Sequence, residues 1–145
     1  MRKLVACITL SAVVVLAFTA LSSGNRTMSM AWVAKLTVAQ EVPKQVVKDT
    51  AANGSFTGTL TGTKLKFKLT FAKLTGPASA AHIHLGAMHK AGNVVVPLCA
   101  PCKSPVTGTV TVSAALQKDF TKHLLYVNVH TAKNPNGEIR GQLGM

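Results

Sequence analysis

Residues 124–143 constrain the fold more than any other part of the chain. In Tyr126-Val127-Asn128-Val129-His130-Thr131, apolar Val127 and Val129 alternate with Tyr126, Asn128 and His130. That is the period-two pattern of a strand with one apolar and one polar face. Asn134-Pro135-Asn136-Gly137 then supplies turn residues, with Gly137 free to adopt positive φ. The return segment puts Glu138, Arg140 and Gln142 on one face and Ile139 and Leu143 on the other. A β-hairpin is expected, with a polar face denser than mere solvent covering requires.

The same alternation runs through the preceding chain. Strands are expected over residues 32–39, 54–61, 64–73, 80–85, 94–98, 108–112, 124–131 and 138–143, rich in Thr, Val and Phe and separated by Gly, Pro, Asn or Ser. Thr61-Gly62-Thr63 reads as a tight hairpin turn. One helix is expected over residues 114–120, capped by Ser113, with Leu116 and Phe120 four apart on one face. Short strands without βα alternation predict an all-β fold, an antiparallel Greek-key β-sandwich with one short helix. A barrel is the architectural alternative.

The N-terminus reads as a targeting signal, with Arg2 and Lys3 before an apolar run, residues 4–20, broken by Thr9, Ser11 and Thr19. The run is short for a membrane span of about 20 residues. The expected division is a signal peptide over residues 1–22, cleaved after Ser22 or at the latest after Ala31, and a domain over residues 32–145. An uncleaved anchor is the alternative. Cys7 precedes the apolar run instead of ending it, so a lipid anchor there is not expected. Cleavage leaves roughly 115–125 residues, one domain without a stable transmembrane span. No internal repeat is visible.

Charge narrows the partners. The chain carries 16 Lys and Arg against 4 acidic residues, and about +10 remains without Arg2 and Lys3. In an exported chain nucleic acid is not the expected partner. Lys64, Lys66 and Lys68 share one strand face. They read either as solvated guards against aggregation or as attraction to an anionic polymer or phospholipid of the envelope.

Cys99 and Cys102, spaced C-A-P-C, are expected to form a local disulfide in a secreted or periplasmic protein. A thioredoxin-like dithiol would need a helix at the second cysteine, whereas Lys103-Ser104-Pro105 follows. No second CxxC completes a structural zinc site.

His82 and His84 flank Ile83, so on a strand they project to the same side about 6–7 Å apart. His130 lies on the polar face of the last hairpin. Pairing of the two strands would bring His82, His84 and His130 into a site suited to copper or zinc, with Met88 or His89 assisting. Its affinity would weaken as pH falls through about 6.5. The alternative is a polar network in which neutral histidines join Asn128, Glu138 and Arg140, with Glu138 and Arg140 pairing along the strand. Catalytic patterns are missing: there is no evident carboxylate pair, no G-x-S-x-G elbow and no phosphate-cradling glycine loop.

Several segments together carry a family likeness: Gln40-Glu41-Val42-Pro43, Gly54 with Phe56, Leu74-Thr75-Gly76-Pro77 through Ala80-Ala81-His82-Ile83-His84-Leu85-Gly86, and YVNVHTAKNPNGEIRGQL from Tyr126 to Leu143. In this order they resemble the CHRD domain, named after chordin. The resemblance implies a secreted β-domain, repeated in chordin within an antagonist of growth factors, and implies no particular reaction. The H-x-H strand is also similar to the copper strand of copper–zinc superoxide dismutase. Between His84 and His130, however, only His89 and His123 occur, and no Asp precedes Asp119 there. The zinc loop is missing and dismutation is not expected. The reading is a non-enzymatic exported binding or structural module whose partner is an envelope or extracellular ligand, an anionic polymer or a protein. An extracytoplasmic copper- or zinc-binding protein is the alternative, and a redox protein using Cys99 and Cys102 comes third.

Overall fold

A computed structural model describes residues 28–44 and 51–145. The expected targeting segment, residues 1–22, lies outside the described residues. Among the described residues eight strands form one antiparallel sheet: β1 (Ser29–Thr37), β2 (Asn53–Thr61), β3 (Lys64–Ala72), β4 (Ala78–Leu85), β5 (Val94–Cys99), β6 (Val106–Thr111), β7 (Leu125–Thr131) and β8 (Ile139–Gln142). The helix α1 is Ala114–Thr121, and a 3-10 turn, Val38–Gln40, follows β1. The all-β class with one short helix is therefore observed.

The strand order is β5-β4-β7-β8-β1-β2-β3-β6, and the edge strands β5 and β6 come back towards each other. The sheet is rolled almost into a barrel, so a two-sheet sandwich describes it only approximately. Closure is a matter of twist and of which edges meet, which no local pattern encodes. β1, β2 and β3 form a meander; the chain then crosses to β4 and returns through β6 to pair with β3. β7 returns past β5 and β6 to pair with β4, the returning step of a Greek key.

Alternation fills the interior. In β2 and β3 every second residue is buried, including Phe56, Leu60, Leu65, Phe67 and Leu69. Ser113 Oγ accepts from the Leu116 amide at 3.2 Å, starting α1. α1 then lays Phe120 against Trp32, ring centroids 5.2 Å apart, both fully buried. Burying a ring like Phe120 contributes about 1.5–3 kcal/mol. β7 departs from the alternation, because all of its residues are buried. Leu125, Val127 and Val129 enter the core, so Tyr126, Asn128 and His130 must be covered from the other side.

The Cys99 and Cys102 sulfurs stand 2.10 Å apart, at disulfide distance, joining the last residue of β5 to the loop after it. The Cys102 amide donates to the Ala78 carbonyl at 3.1 Å and independently holds this loop against β4. Because the crosslink spans a sequence separation of 3, it constrains little of the unfolded chain. Replacing both cysteines by Ser should cost less than the roughly 2–5 kcal/mol typical of a disulfide in a small secreted domain. Urea unfolding measures this, and failure to fold would contradict it.

Candidate metal centre

The outer face of β4, β7 and β8 carries a buried polar layer. Register pairs His82 with Asn128, His84 with Tyr126 and Asn128 with Arg140, while His130 lies opposite Ala80. Connections, not a second sheet, cover this layer. Glu41 follows the 3-10 turn, and the segment after β4 brings the carbonyls of Ala87 and Gly92. The β7–β8 turn brings that of Pro135. Gly92 fits because a Cβ there would stand 1.6 Å from the Leu85 carbonyl oxygen. Gly137 has φ +123, and its Cβ would meet the Asn128 side chain at 2.4 Å.

His82, His84 and His130 each offer a ring nitrogen, and these atoms all lie within 4.8 Å of one another. His84 Nδ1 is 2.9 Å from the Gly92 carbonyl and His130 Nδ1 is 3.0 Å from the Pro135 carbonyl. A carbonyl only accepts, so both Nδ1 atoms donate and both Nε2 atoms keep a lone pair. His84 Nε2 is buried without a hydrogen-bond partner. His130 Nε2 faces His82 Nδ1 at 3.2 Å. Carbonyl acceptors on Nδ1 are the usual outer support of a ligating imidazole, fixing its ring and tautomer.

The rings are held from behind as well. Tyr126 stacks on His84 with centroids 4.9 Å apart, and the Arg140 guanidinium lies 3.5 Å from the Tyr126 ring centroid. The Tyr126 hydroxyl donates to the Gly92 carbonyl at 3.3 Å. Arg140 Nη2 donates to the Ala87 carbonyl at 3.0 Å and to Gln142 Oε1 at 3.3 Å.

All three histidines are held below the ordinary imidazole value. Burial lowers His82, and His84 adds to it. Burial lowers His84 against the Gly92 hydrogen bond, with Arg140 adding. Burial brings His130 down to about 4, despite the Pro135 hydrogen bond. The cluster is therefore neutral at pH 7, the state in which imidazole binds metals. Glu41, 2 % exposed, goes the other way: burial pushes it up to about 7, against its Asn128 hydrogen bond and the charge of Arg140. The stability that His130 contributes is present above pH 6.5 and is lost as pH falls towards 4. That of Glu41 is present below 4.5 and is lost as pH rises through about 7. The two slopes oppose each other between 4.5 and 6.5.

Several expectations need correction. Glu138 does not pair with Arg140. β8 begins at Ile139, and Glu138 instead accepts from the Thr75 amide (2.6 Å), Thr75 Oγ1 (2.7 Å), Thr131 Oγ1 (2.6 Å) and Asn134 Nδ2 (2.9 Å). The histidines hydrogen-bond to one another and to backbone carbonyls, not to Asn128, Glu138 or Arg140. Asn128 donates to Glu41 Oε2 at 3.4 Å instead. Met88 is 62 % exposed, and His89 is exposed and not among the clustered histidines. Sequence reasoning missed Glu41 as part of this layer, together with the carbonyls of Gly92 and Pro135. A lone acid between a strand and a proline carries no mark of burial, and carbonyls carry no sequence signal.

Fold and layer together define a small β-domain with a histidine cluster beneath its connections. The CHRD domain family model matches residues 32–143, and the chain belongs to that family. No curated protein and no solved structure matches it significantly.

Proposed function

We propose that this CHRD domain is an exported, non-catalytic binding module that holds one copper or zinc ion through His82, His84 and His130. The observation that carries the reading is the buried, unpartnered Nε2 of His84, whose Nδ1 proton is taken by Gly92, together with His130, whose Nδ1 proton is taken by Pro135 and whose Nε2 meets His82 Nδ1 at 3.2 Å. Zn–N bonds of about 2.0–2.1 Å put tetrahedral ligand atoms about 3.3 Å apart. His82 Nδ1 and His130 Nε2, at 3.2 Å, already meet this, and all the ligand atoms lie within 4.8 Å of one another. Binding requires His82 to carry its proton on Nε2, so that Nδ1 offers a lone pair. His82 is more exposed than the other two and exchanges that proton with water. A fourth position stays open for water or an external ligand.

Export rests on the Arg2-Lys3 start, the apolar run, and the resemblance of the domain to secreted ones. The position of β1 favours cleavage after Ser22, because a cut after Ala31 would remove Ser29, Met30 and Ala31, which pair with Thr61, Leu60 and Thr59. Native mass spectrometry of protein recovered from its own compartment should show a chain beginning at Ser23 with one metal ion bound. Intact Met1 in a cytoplasmic pool would contradict export, and a metal-free mass after gentle recovery would contradict the metal reading.

A further inference from the structure

The opposite flank of the barrel carries a second, independent pattern. Registered rows read Val33-Thr57-Lys68-Thr107, Ala31-Thr59-Lys66-Thr109 and Ser29-Thr61-Lys64-Thr111 across β1, β2, β3 and β6. A column of lysines is thus flanked on both sides by columns of threonines, all exposed. Lys35 extends the basic character one row further, opposite Ser55. A groove of about 820 Å³ runs over two of these rows, lined by Lys66, Lys68, Thr57, Thr59, Thr107 and Thr109, with Ala31 and Val33 as an apolar shoulder. The described acids lie elsewhere: Glu41 and Glu138 are buried, and Asp119 is on α1.

Guarding against edge-to-edge aggregation does not account for this arrangement. Guard lysines belong on edge strands, but the lysines occupy β3, which is paired on both sides, while the edge strand β6 has none. We propose that this face docks a linear phosphodiester polymer of a small polyol. Alternate residues of β3 set the lysine attachment points about 6.7 Å apart along the strand, a spacing matched to phosphates separated by a glycerol unit. Lysine suits phosphate as a point charge, and Thr hydroxyls donate to the remaining phosphate oxygens. Lys64 Nζ, 2.8 Å from Thr111 Oγ1, shows that ammonium and hydroxyl reach one position. The apolar shoulder receives the polyol carbons. Bases would require aromatic stacking platforms, and Trp32, Phe56 and Phe67 are turned into the core. A groove also accommodates a chain better than a planar lipid surface.

The test is binding of the full chain to synthetic poly(glycerol phosphate), compared with single-stranded DNA and phosphatidylglycerol vesicles. The Lys64→Gln, Lys66→Gln, Lys68→Gln triple variant should bind the polymer at least tenfold more weakly. The slope of log affinity against log salt should shrink by about two, because these ammonium groups no longer neutralise phosphates and release their counterions. A control triple with equal charge loss, Lys103→Gln, Lys118→Gln, Lys122→Gln, should stay within about twofold, since these lysines lie outside the face. Equal losses in the two triples would reduce the effect to net charge and overturn the proposal. Tighter binding to DNA or vesicles than to the polymer, or no polymer binding by the unaltered chain, would overturn it as well.

Discussion

Replacing Glu138 by Ala should destabilise the domain by about 4 kcal/mol, the sum of several buried donors left without an acceptor. Glu138 has no exposed surface and gathers the Thr75 amide and hydroxyl, the Thr131 hydroxyl and the Asn134 side chain. Through Thr75 it fastens the β3–β4 crossover to the β7–β8 hairpin, so its loss loosens the crossing on which the rolled sheet depends. Burial raises the Glu138 carboxyl, but its hydrogen bonds to Thr131, Thr75 and Asn134 outweigh that and hold it below its ordinary value of 4.5. A depressed carboxylate contributes stability that is present above 4.5 and is lost as pH falls through the lowered value. Denaturant unfolding should therefore show a large gap between Glu138→Ala and the unaltered protein at pH 7, narrowing in acid. A gap below about 1 kcal/mol, the scale of an exposed pair, would show that this cluster does not hold the crossover.

Removing a proposed ligand has the larger functional effect. His84→Ala should weaken copper or zinc binding at least about 100-fold, beyond the 10–100-fold typical of losing outer support. The fold should survive, since the missing imidazole donates to one carbonyl, that of Gly92. Acid should release the metal later than unperturbed histidines would. Imidazoles titrating at 6.5 would each cost about tenfold in affinity at pH 5.5. Burial lowers all three histidines, His130 to about 4, so the loss of affinity between pH 7.5 and 5.5 should be smaller than that. Titrations of Zn(II) and Cu(II) at both pH values read this directly. Affinity unchanged in His84→Ala would remove the residue from the site.

What the sequence discloses and what it hides follow from the range over which each pattern acts. Period-two alternation is local, so the strands and the shared side of His82 and His84 were legible from the residues alone. Gly62, at φ 55, sits in the turn that its neighbours predicted, and Ser113 caps α1. The partnership of His130 with the H-x-H strand was legible as a condition, because it needs β4 and β7 to pair. Closure of β5 towards β6 was not legible, since it depends on accumulated twist. The pairing of Glu138 with Arg140 was misread because two residues on one strand face are neighbours only until nearer partners arrive. Here Thr75, from a distant connection, reached Glu138, and Tyr126 reached Arg140. The same limit hid Glu41, whose burial comes from Asn128 and the layer around it.

X-ray absorption on the protein loaded with one equivalent of Zn(II), alone and with His82, His84 and His130 all replaced by Ala, tests the central claim most directly. The account predicts three imidazole nitrogens at about 2.0–2.1 Å with a water oxygen as the fourth ligand, and no ordered imidazole shell in the triple variant. An oxygen-only shell in the unaltered protein, or the same imidazole signal in both proteins, would contradict it.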